Sequence, residues 1–350
     1  MGNRPSRWYA PLGFWLRTIA IMVATVWFEW QWATTGWWVW GALVGWMHAF
    51  IGLAVQHDAS HGALSKSPAV NAFFSYGADW IGNSRWLWMQ QHVIGHHPHT
   101  NIEGHDPDAH SAEPVLLFHS YDKADSPRRG FHAWQWLYMF LVLPWYGPSL
   151  VADYKQLAHM RHGDEVPPNP WTRTQRPLAV ATRLWYIGRI CLAPIVLGGA
   201  SIASGLLLVP LVAGGILTFV FVVSHNFEGS DRFPTMTKGD SVDWYKLQVR
   251  ARVLLQCATA GRRKRGGLHV TRVSCAQVET SCTYGGWWAM FWSGGLNLQI
   301  EHHLFPRLSS WYASILVPTP RIAFLLCAHP RTGTTRKSHR WYRKSARSTA

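Results

Sequence analysis

The sequence predicts an all-α integral membrane protein of four transmembrane helices with a helical, histidine-rich cap on one side. Three observations predict it. Four apolar runs of about 20 residues fall into two closely linked pairs, each run long enough to cross a hydrocarbon core of roughly 30 Å. The chain holds 23 Trp in 350 residues, gathered around those runs, as suits a side chain with an apolar ring and an N–H that stays wet at a membrane interface. Clustered histidines stand at the ends of the runs and not inside them.

In chain order, the first pair of spans is expected at residues 14–33 and 37–56, joined by the short turn Thr34-Thr35-Gly36. Glu29 is the one acid in the first run and is expected near its interfacial end. A long polar stretch from His57 to Arg183 follows, interrupted by an apolar segment at 134–150 that is short for a span and contains Pro144, Gly147 and Pro148. It reads as an interfacial or re-entrant helix. The second pair is expected at 184–203 and 205–224. No Lys or Arg lies between Arg17 and Lys66, or between Arg189 and Arg232, so both inter-span turns lack positive charge. The positive-inside rule then places the N-terminus, the central stretch and everything after His225 in the cytosol.

The formal net charge of +15 invites a nucleic-acid reading, which its distribution excludes. Segment 249–277 carries seven Lys/Arg and no acid, and segment 318–350 carries eight and no acid. Without them the chain is balanced, at 18 basic and 18 acidic residues. The five cysteines have no zinc or disulfide spacing.

His57-Asp58-Ala59-Ser60-His61 stands where the second span emerges, and an i, i+4 pair puts two imidazoles on one helical face, able to share a metal. His92-Val93-Ile94-Gly95-His96-His97 repeats that spacing and adds a third ring about 100° round the helix. His225-Asn226 follows the fourth span directly, and its depth matches that of His57. In Gln299-Ile300-Glu301-His302-His303, the i, i+3, i+4 spacing lets Gln299, His302 and His303 face one point. His119, His132, His159 and His162 have no spacing partner and read as surface or loop residues. His48, inside the second span, reads as a buried hydrogen-bonded residue and not a ligand. The eight boxed imidazoles exceed one tetrahedral zinc and suit two iron ions with open positions. Asp58, Asp106, Asp108 and Glu301 are available to orient the rings. A metal transporter would instead place its ligands within the spans, near the midplane.

His57–His61, His92–His97 and Gln299–His303, in this order and with these spans between them, resemble the three histidine boxes of the membrane fatty-acid desaturases. Glutamine at the start of the third box resembles the front-end members. The runs at 77–82, 224–228 and 279–286 look like the microalgal ones. The resemblance covers residues 8–249 and 278–317, a single desaturase domain over 8–317.

What it implies is an oxygen-dependent front-end desaturase of long-chain polyunsaturated acyl groups, C20 or C22, with delta-5 or delta-4 favoured. Its cofactors would be two iron ions, with electrons from cytochrome b5 and its NADH reductase. The implied ligands and catalytic residues are His57, His61, His92, His96, His97, His302 and His303, with His225 as a further ligand. Asp58, Asn226 and Glu301 take outer positions. Gln299 is class-defining, as a weak ligand or an outer donor. The substrate would be a membrane lipid or an acyl-CoA in a narrow apolar tunnel, in the endoplasmic reticulum with the site facing the cytosol. A sphingoid-base (delta-8-type) desaturase shares the glutamine-type box, and an inactive mis-spliced product is a further alternative.

Two departures from the family stand out. No His-Pro-Gly-Gly haem motif occurs, so a separate cytochrome b5, or a domain lost from the N-terminus, is expected to serve. Gln-Val occurs at Gln248-Val249 and again at Gln277-Val278. Because valine codons begin GT and one glutamine codon ends AG, residues 249–277 read as a retained intron. The tail at 318–350 reads as a frameshift or wrong final exon.

Overall fold

A computed structural model describes residues 9–101, 106–108, 113–117, 128–152, 174–226, 287–304 and 306–311. All lie in one compact unit, Met1–Pro318. The expected insert at 249–277, the tail at 318–350, and His105, His110, His119, His159 and His162 lie outside the described residues.

The first apolar pair forms α1 (Leu12–Thr35) and α2 (Trp38–Ser60). Between them Gly36 adopts a left-handed φ of +59°, and its N–H returns to the Trp32 carbonyl, closing the helix. The cap begins with α3 (Pro68–Ser75), α4 (Gly77–Trp80) and α5 (Arg85–Trp88). It runs on through a π-helical segment, Met89–His96, into the turn His97–His99. The apolar stretch of the central region forms α6 (Gln135–Val142) and α7 (Tyr146–Ala152), joined by a tighter 3-10 turn at Leu143–Trp145, where Pro144 removes a backbone donor. The second apolar pair forms α8 (Gln175–Gly198) and α9 (Ser204–His225). Two short helices, α10 (Trp287–Ser293) and α11 (Gln299–Leu304), complete the described chain.

α1, α2, α8 and α9 are long and apolar enough to cross a membrane. The third begins nine residues before its expected start at 184 and ends at Gly198 instead of 203. Hydropathy misses its first two turns, because Arg176, Thr182 and Arg183 mask a helix held by tertiary bonds. Thr182 Oγ1 donates to Asp79 Oδ1 at 2.8 Å, and Arg183 donates to the Val151 carbonyl. Gly199, at a φ of +67°, stops it.

α2 is the central helix, packed on α1 and α9. The core joining α1, α2, α8 and α9 comprises Trp32, Val44, Tyr186, Ile190, Cys191 and Val209, and the Trp32 indole donates to the Ile190 carbonyl at 3.0 Å. At the far end, the turns bearing Gly36 and Gly198 touch so closely that a Cβ on Gly198 would lie 2.3 Å from the Gly36 nitrogen. Leu16, Ile19, Val23, Trp27 and Trp30 of α1 and Val196 and Leu197 of α8 face outward, as lipid-facing positions do.

Glu29 is buried and faces inward among α1, α2 and α8. His48 Nε2–H donates to its Oε1 at 2.8 Å, the Trp80 indole donates to the same oxygen at 3.0 Å, and Arg189 pairs with Oε2. Arg189 also donates to the Trp80 carbonyl at 2.6 Å and stacks on Trp80 and Trp185. A buried carboxylate needs such a set of donors, which is why it turns inward. The cluster ties α1, α2 and α8 to α4, and it accounts for His48 as a hydrogen-bonded residue and not a ligand.

Candidate metal centre

The first histidine box and His225 are delivered by the ends of spanning helices. α2 carries His57 and His61 out of the spans, and a π-helical stretch, Ile51–Gln56, immediately precedes them. α9 ends on His225 and α11 bears Gln299, His302 and His303. His92 and His96 lie in the second π-helical segment.

The π geometry adds a partner to one expected pairing. His92 and His96 stack, with ring centroids 5.4 Å apart, but i→i+5 bonding also brings His97 round to His92. His92 Nε2 therefore meets His97 Nε2 at 3.2 Å, while His96 Nε2 turns to His225 Nε2 at 3.3 Å. The third box divides as well. His302 Nε2 approaches His97 Nε2 at 3.1 Å, whereas His303 Nε2 approaches His225 Nε2 at 3.3 Å. The i, i+3, i+4 trio expected to face one point faces two.

Two groups result. His57, His61, His92, His97 and His302 form one, and His96, His225 and His303 form the other, with the donor atoms of each within 4.8 Å of one another. Gln299 joins the smaller group, its side-chain nitrogen 2.8 Å from His225 Nε2 and 3.3 Å from His303 Nε2. A third grouping, His92, His96 and Asp108, draws on rings already committed to the first two.

These residues fit a pair of metal ions. Nitrogens each about 2.1 Å from one ion and roughly at right angles around it stand about 3 Å apart, and the facing Nε2 atoms stand 3.1–3.3 Å apart. His61 Nε2 and Gln299 Oε1 are buried without a hydrogen-bond partner, as a donor aimed at an ion would be. Burial, and then the neighbouring imidazoles, hold His61, His92, His97, His302 and His303 well below the ordinary imidazole range. They are neutral at physiological pH, the form a metal requires.

His96 is the exception. Burial would lower its pKa, but the Asp106 carboxylate, with Asp108 behind it, raises it to about 9. His96 Nδ1–H donates to both Asp106 oxygens, at 3.0 and 3.1 Å, leaving Nε2 to face His225. Asp106 in turn accepts the Asn101 and Asp108 N–H groups at 2.7 and 2.9 Å. Asp58 Oδ1 lies 3.5 Å from His57 Nδ1. Glu301 is placed on α11, but its side chain lies outside the described residues. Asn226 lines the adjoining cavity.

Sequence reasoning missed Thr100. Its hydroxyl donates to the His96 carbonyl at 3.0 Å and accepts from His303 Nδ1–H at 3.2 Å, fixing that tautomer. Its place three residues after His97 was the available signal, and it meant nothing without the register of the third box. Trp88, stacked on the His92 ring at 4.3 Å, was missed too. His132 is not a surface residue: it is buried, and its Nε2 donates to the Pro114 carbonyl at 2.9 Å.

A cavity of about 330 Å³ adjoins the smaller group. His96, His225 and Asn226 line it on the metal side, and Leu143, Phe221 and Val222 are among its apolar walls.

A protein-family model, described as fatty acid desaturase, matches residues 35–319. The chain belongs to the fatty acid desaturase family. Desaturases similar to it include an acyl-lipid (7-3)-desaturase of Diacronema lutheri, 33% identical over 323 residues covering 89% of this chain and 63% of that protein. An acyl-lipid (7-3)-desaturase of Rebecca salina is 30% identical, again over 89% of this chain and 63% of its own length. An acyl-lipid (8-3)-desaturase of Physcomitrium patens is 27% identical over 75% of this chain and 49% of the relative. The chain thus spans less than two thirds of each of these relatives.

Proposed function

We propose that this desaturase-family chain is an oxygen-dependent front-end desaturase, placing a cis double bond in a long polyunsaturated acyl chain. The observation that carries the reading is the convergence of two histidine groups beside an apolar cavity. His57, His61, His92, His97 and His302 would hold one iron, and His96, His225 and His303, with Gln299 as a weaker or outer donor, the second. Bound there, the two ions supply oxygen activation and removal of hydrogen from two adjacent methylenes, chemistry beyond any side chain. The chain's own residues do the rest. Asp106 and Thr100 fix the proton on Nδ1 of His96 and His303, so that each Nε2 lone pair faces inward. Leu143, Phe221 and Val222 exclude water and hold the methylenes in register, where a shift of about 1 Å would be costly.

The acyl carrier proposed is a membrane lipid. Asp106, Asp108 and Glu113 are among the described residues lining the cavity, and no Lys or Arg is, a poor reception for the phosphates of coenzyme A. The relatives named above are acyl-lipid enzymes, which supports the same carrier. We further propose C20 or C22 chains desaturated at delta-5 or delta-4, electrons from cytochrome b5 and its NADH reductase, and residence in the endoplasmic reticulum with the site in the cytosol. The outward Trp134, Trp136, Leu137, Phe140, Leu141 and Trp145 support an interfacial position for α6 and its flanks. Residues 249–277 are proposed to be intron-derived, and 318–350 to be a mis-read final exon.

Expression in a host fed polyunsaturated fatty acids, with and without residues 249–277, tests this reading. A new double bond on the carboxyl side of the existing ones, abolished by His302→Ala, is expected. No product from the shortened chain would overturn it.

A further inference from the structure

Asp58 is 2% exposed and has two different jobs for its two oxygens. Oδ1 lies 3.5 Å from His57 Nδ1, an electrostatic approach and not a hydrogen bond, and His57 Nδ1 has no hydrogen-bond partner. Oδ2 accepts from the Ser310 backbone N–H at 3.0 Å and from the Ser310 hydroxyl at 2.8 Å. Ser310 stands seven residues after His303, so one buried carboxylate joins the first histidine box to the chain that leaves the third.

The surroundings make that carboxylate's orientation a matter of competition. Arg17 of α1 lies within electrostatic reach of Asp58, and its Nε and Nη2 are buried without hydrogen-bond partners. A carboxylate released by Ser310 would have a ready alternative in that guanidinium, and in turning to it would abandon His57. The turn bearing Ser310 has its own anchors. Trp311 packs with Phe14, Ala59 and Leu64 and against Gly13. On the other side the Ser310 Cβ is pressed so close to Gly295 that a Cβ there would lie 2.5 Å from it. The serine hydroxyl is therefore not needed to hold the turn in place. Its remaining consequence is to aim Asp58.

We propose that Ser310 is a positioning residue for the five-histidine site: it holds the Asp58 carboxylate beside His57 Nδ1, where its charge favours the proton on Nδ1 and leaves the Nε2 lone pair of His57 for the ion. This rests on the two-metal reading above. It makes the effect local, because His57 belongs to the five-histidine group and not to His96, His225 and His303.

Cobalt(II) titration of the full-length, metal-free protein in detergent tests it, with the visible spectrum of each bound equivalent followed separately. In the wild type two equivalents are expected. In Ser310→Ala one equivalent is expected to weaken about tenfold, the lower end of what outer-partner changes typically cost, with a changed spectrum for that equivalent alone. Asp58→Asn, which keeps the side chain's shape, is expected to weaken the same equivalent further, and gives the same reading should Ser310→Ala fail to accumulate. Equal weakening of both equivalents would mean a general structural role and overturn the proposal. So would wild-type affinity in Ser310→Ala, or in Asp58→Asn where that is the variant measured. A wild-type chain that takes up no cobalt would overturn the two-metal reading along with it, and so is told apart from failure of the Ser310 role alone.

Discussion

Asp106→Asn is the perturbation whose size the structure sets most directly. The wild-type carboxylate is buried, is held by two backbone N–H groups, and takes the His96 Nδ1 proton at 3.0 and 3.1 Å. The rise of the His96 pKa from 6.5 to about 9 corresponds to about 3 kcal/mol, at roughly 1.4 kcal/mol per tenfold change in proton affinity. Burial opposes that rise, and the Asp106 carboxylate, with Asp108 behind it, outweighs it. A metal at Nε2 stands where the second imidazolium proton stood, so the same carboxylate favours both. At pH 7.5 the metal-free His96 is almost wholly protonated, and filling the smaller site must expel about one proton. Asparagine keeps the shape and removes the charge. The expected result is a metal affinity 10- to 100-fold lower at one of two equivalents, and a proton release at pH 7.5 that falls from about one to a small fraction. Metal titration in weakly buffered solution, with a pH indicator, reads both numbers at once. Unchanged proton release together with unchanged affinity would refute the assignment of Asp106 to His96 and of His96 to a metal.

Three further outcomes follow from the same geometry. Removing His303 leaves its group two imidazoles and Gln299, whereas removing His302 leaves four imidazoles; His303→Ala should therefore lose one metal outright, and His302→Ala should retain more of its own, by elemental analysis of purified protein. In the metal-free protein the five imidazoles with depressed pKa favour the folded state above pH about 6.5 and cost stability as pH falls below it, where the unfolded chain binds more protons. His96, with its raised pKa, contributes in full below pH 6.5 and loses that contribution as pH rises through about 9, so thermal unfolding should show a steep acid loss and a shallower alkaline one that His96→Gln removes. Glu29→Ala strands Arg189 among the spans at a cost of about 3–5 kcal/mol, and Glu29→Ala combined with Arg189→Leu should recover most of the folded yield, measured by size-exclusion chromatography in detergent.

The four spans were legible because apolar length is a property of the chain alone. The third was misplaced at its start because Arg176, Thr182 and Arg183 hide a helix that only Asp79 and Val151 explain. The identity of the clustered histidines was legible from spacing, but their division between two groups was not. That division depends on a π-helical register at Met89–His96, which no periodicity in the sequence announces. Asp106 could be named as an orienting acid because acids near histidine boxes are few. Thr100 and Ser310 could not, since their partners lie 203 and 252 residues away. The partners of Glu29 were hidden for a related reason: nothing in an apolar run announces that His48, Trp80 and Arg189 gather around its one carboxylate.

The most direct test of the central claim is the iron content of the purified full-length protein, measured by elemental analysis in the wild type and in His225→Ala. The account predicts two irons per chain in the wild type and one in the variant, the lost ion being that of His96, His225 and His303. One iron or none in the wild type, or two in His225→Ala, would contradict it.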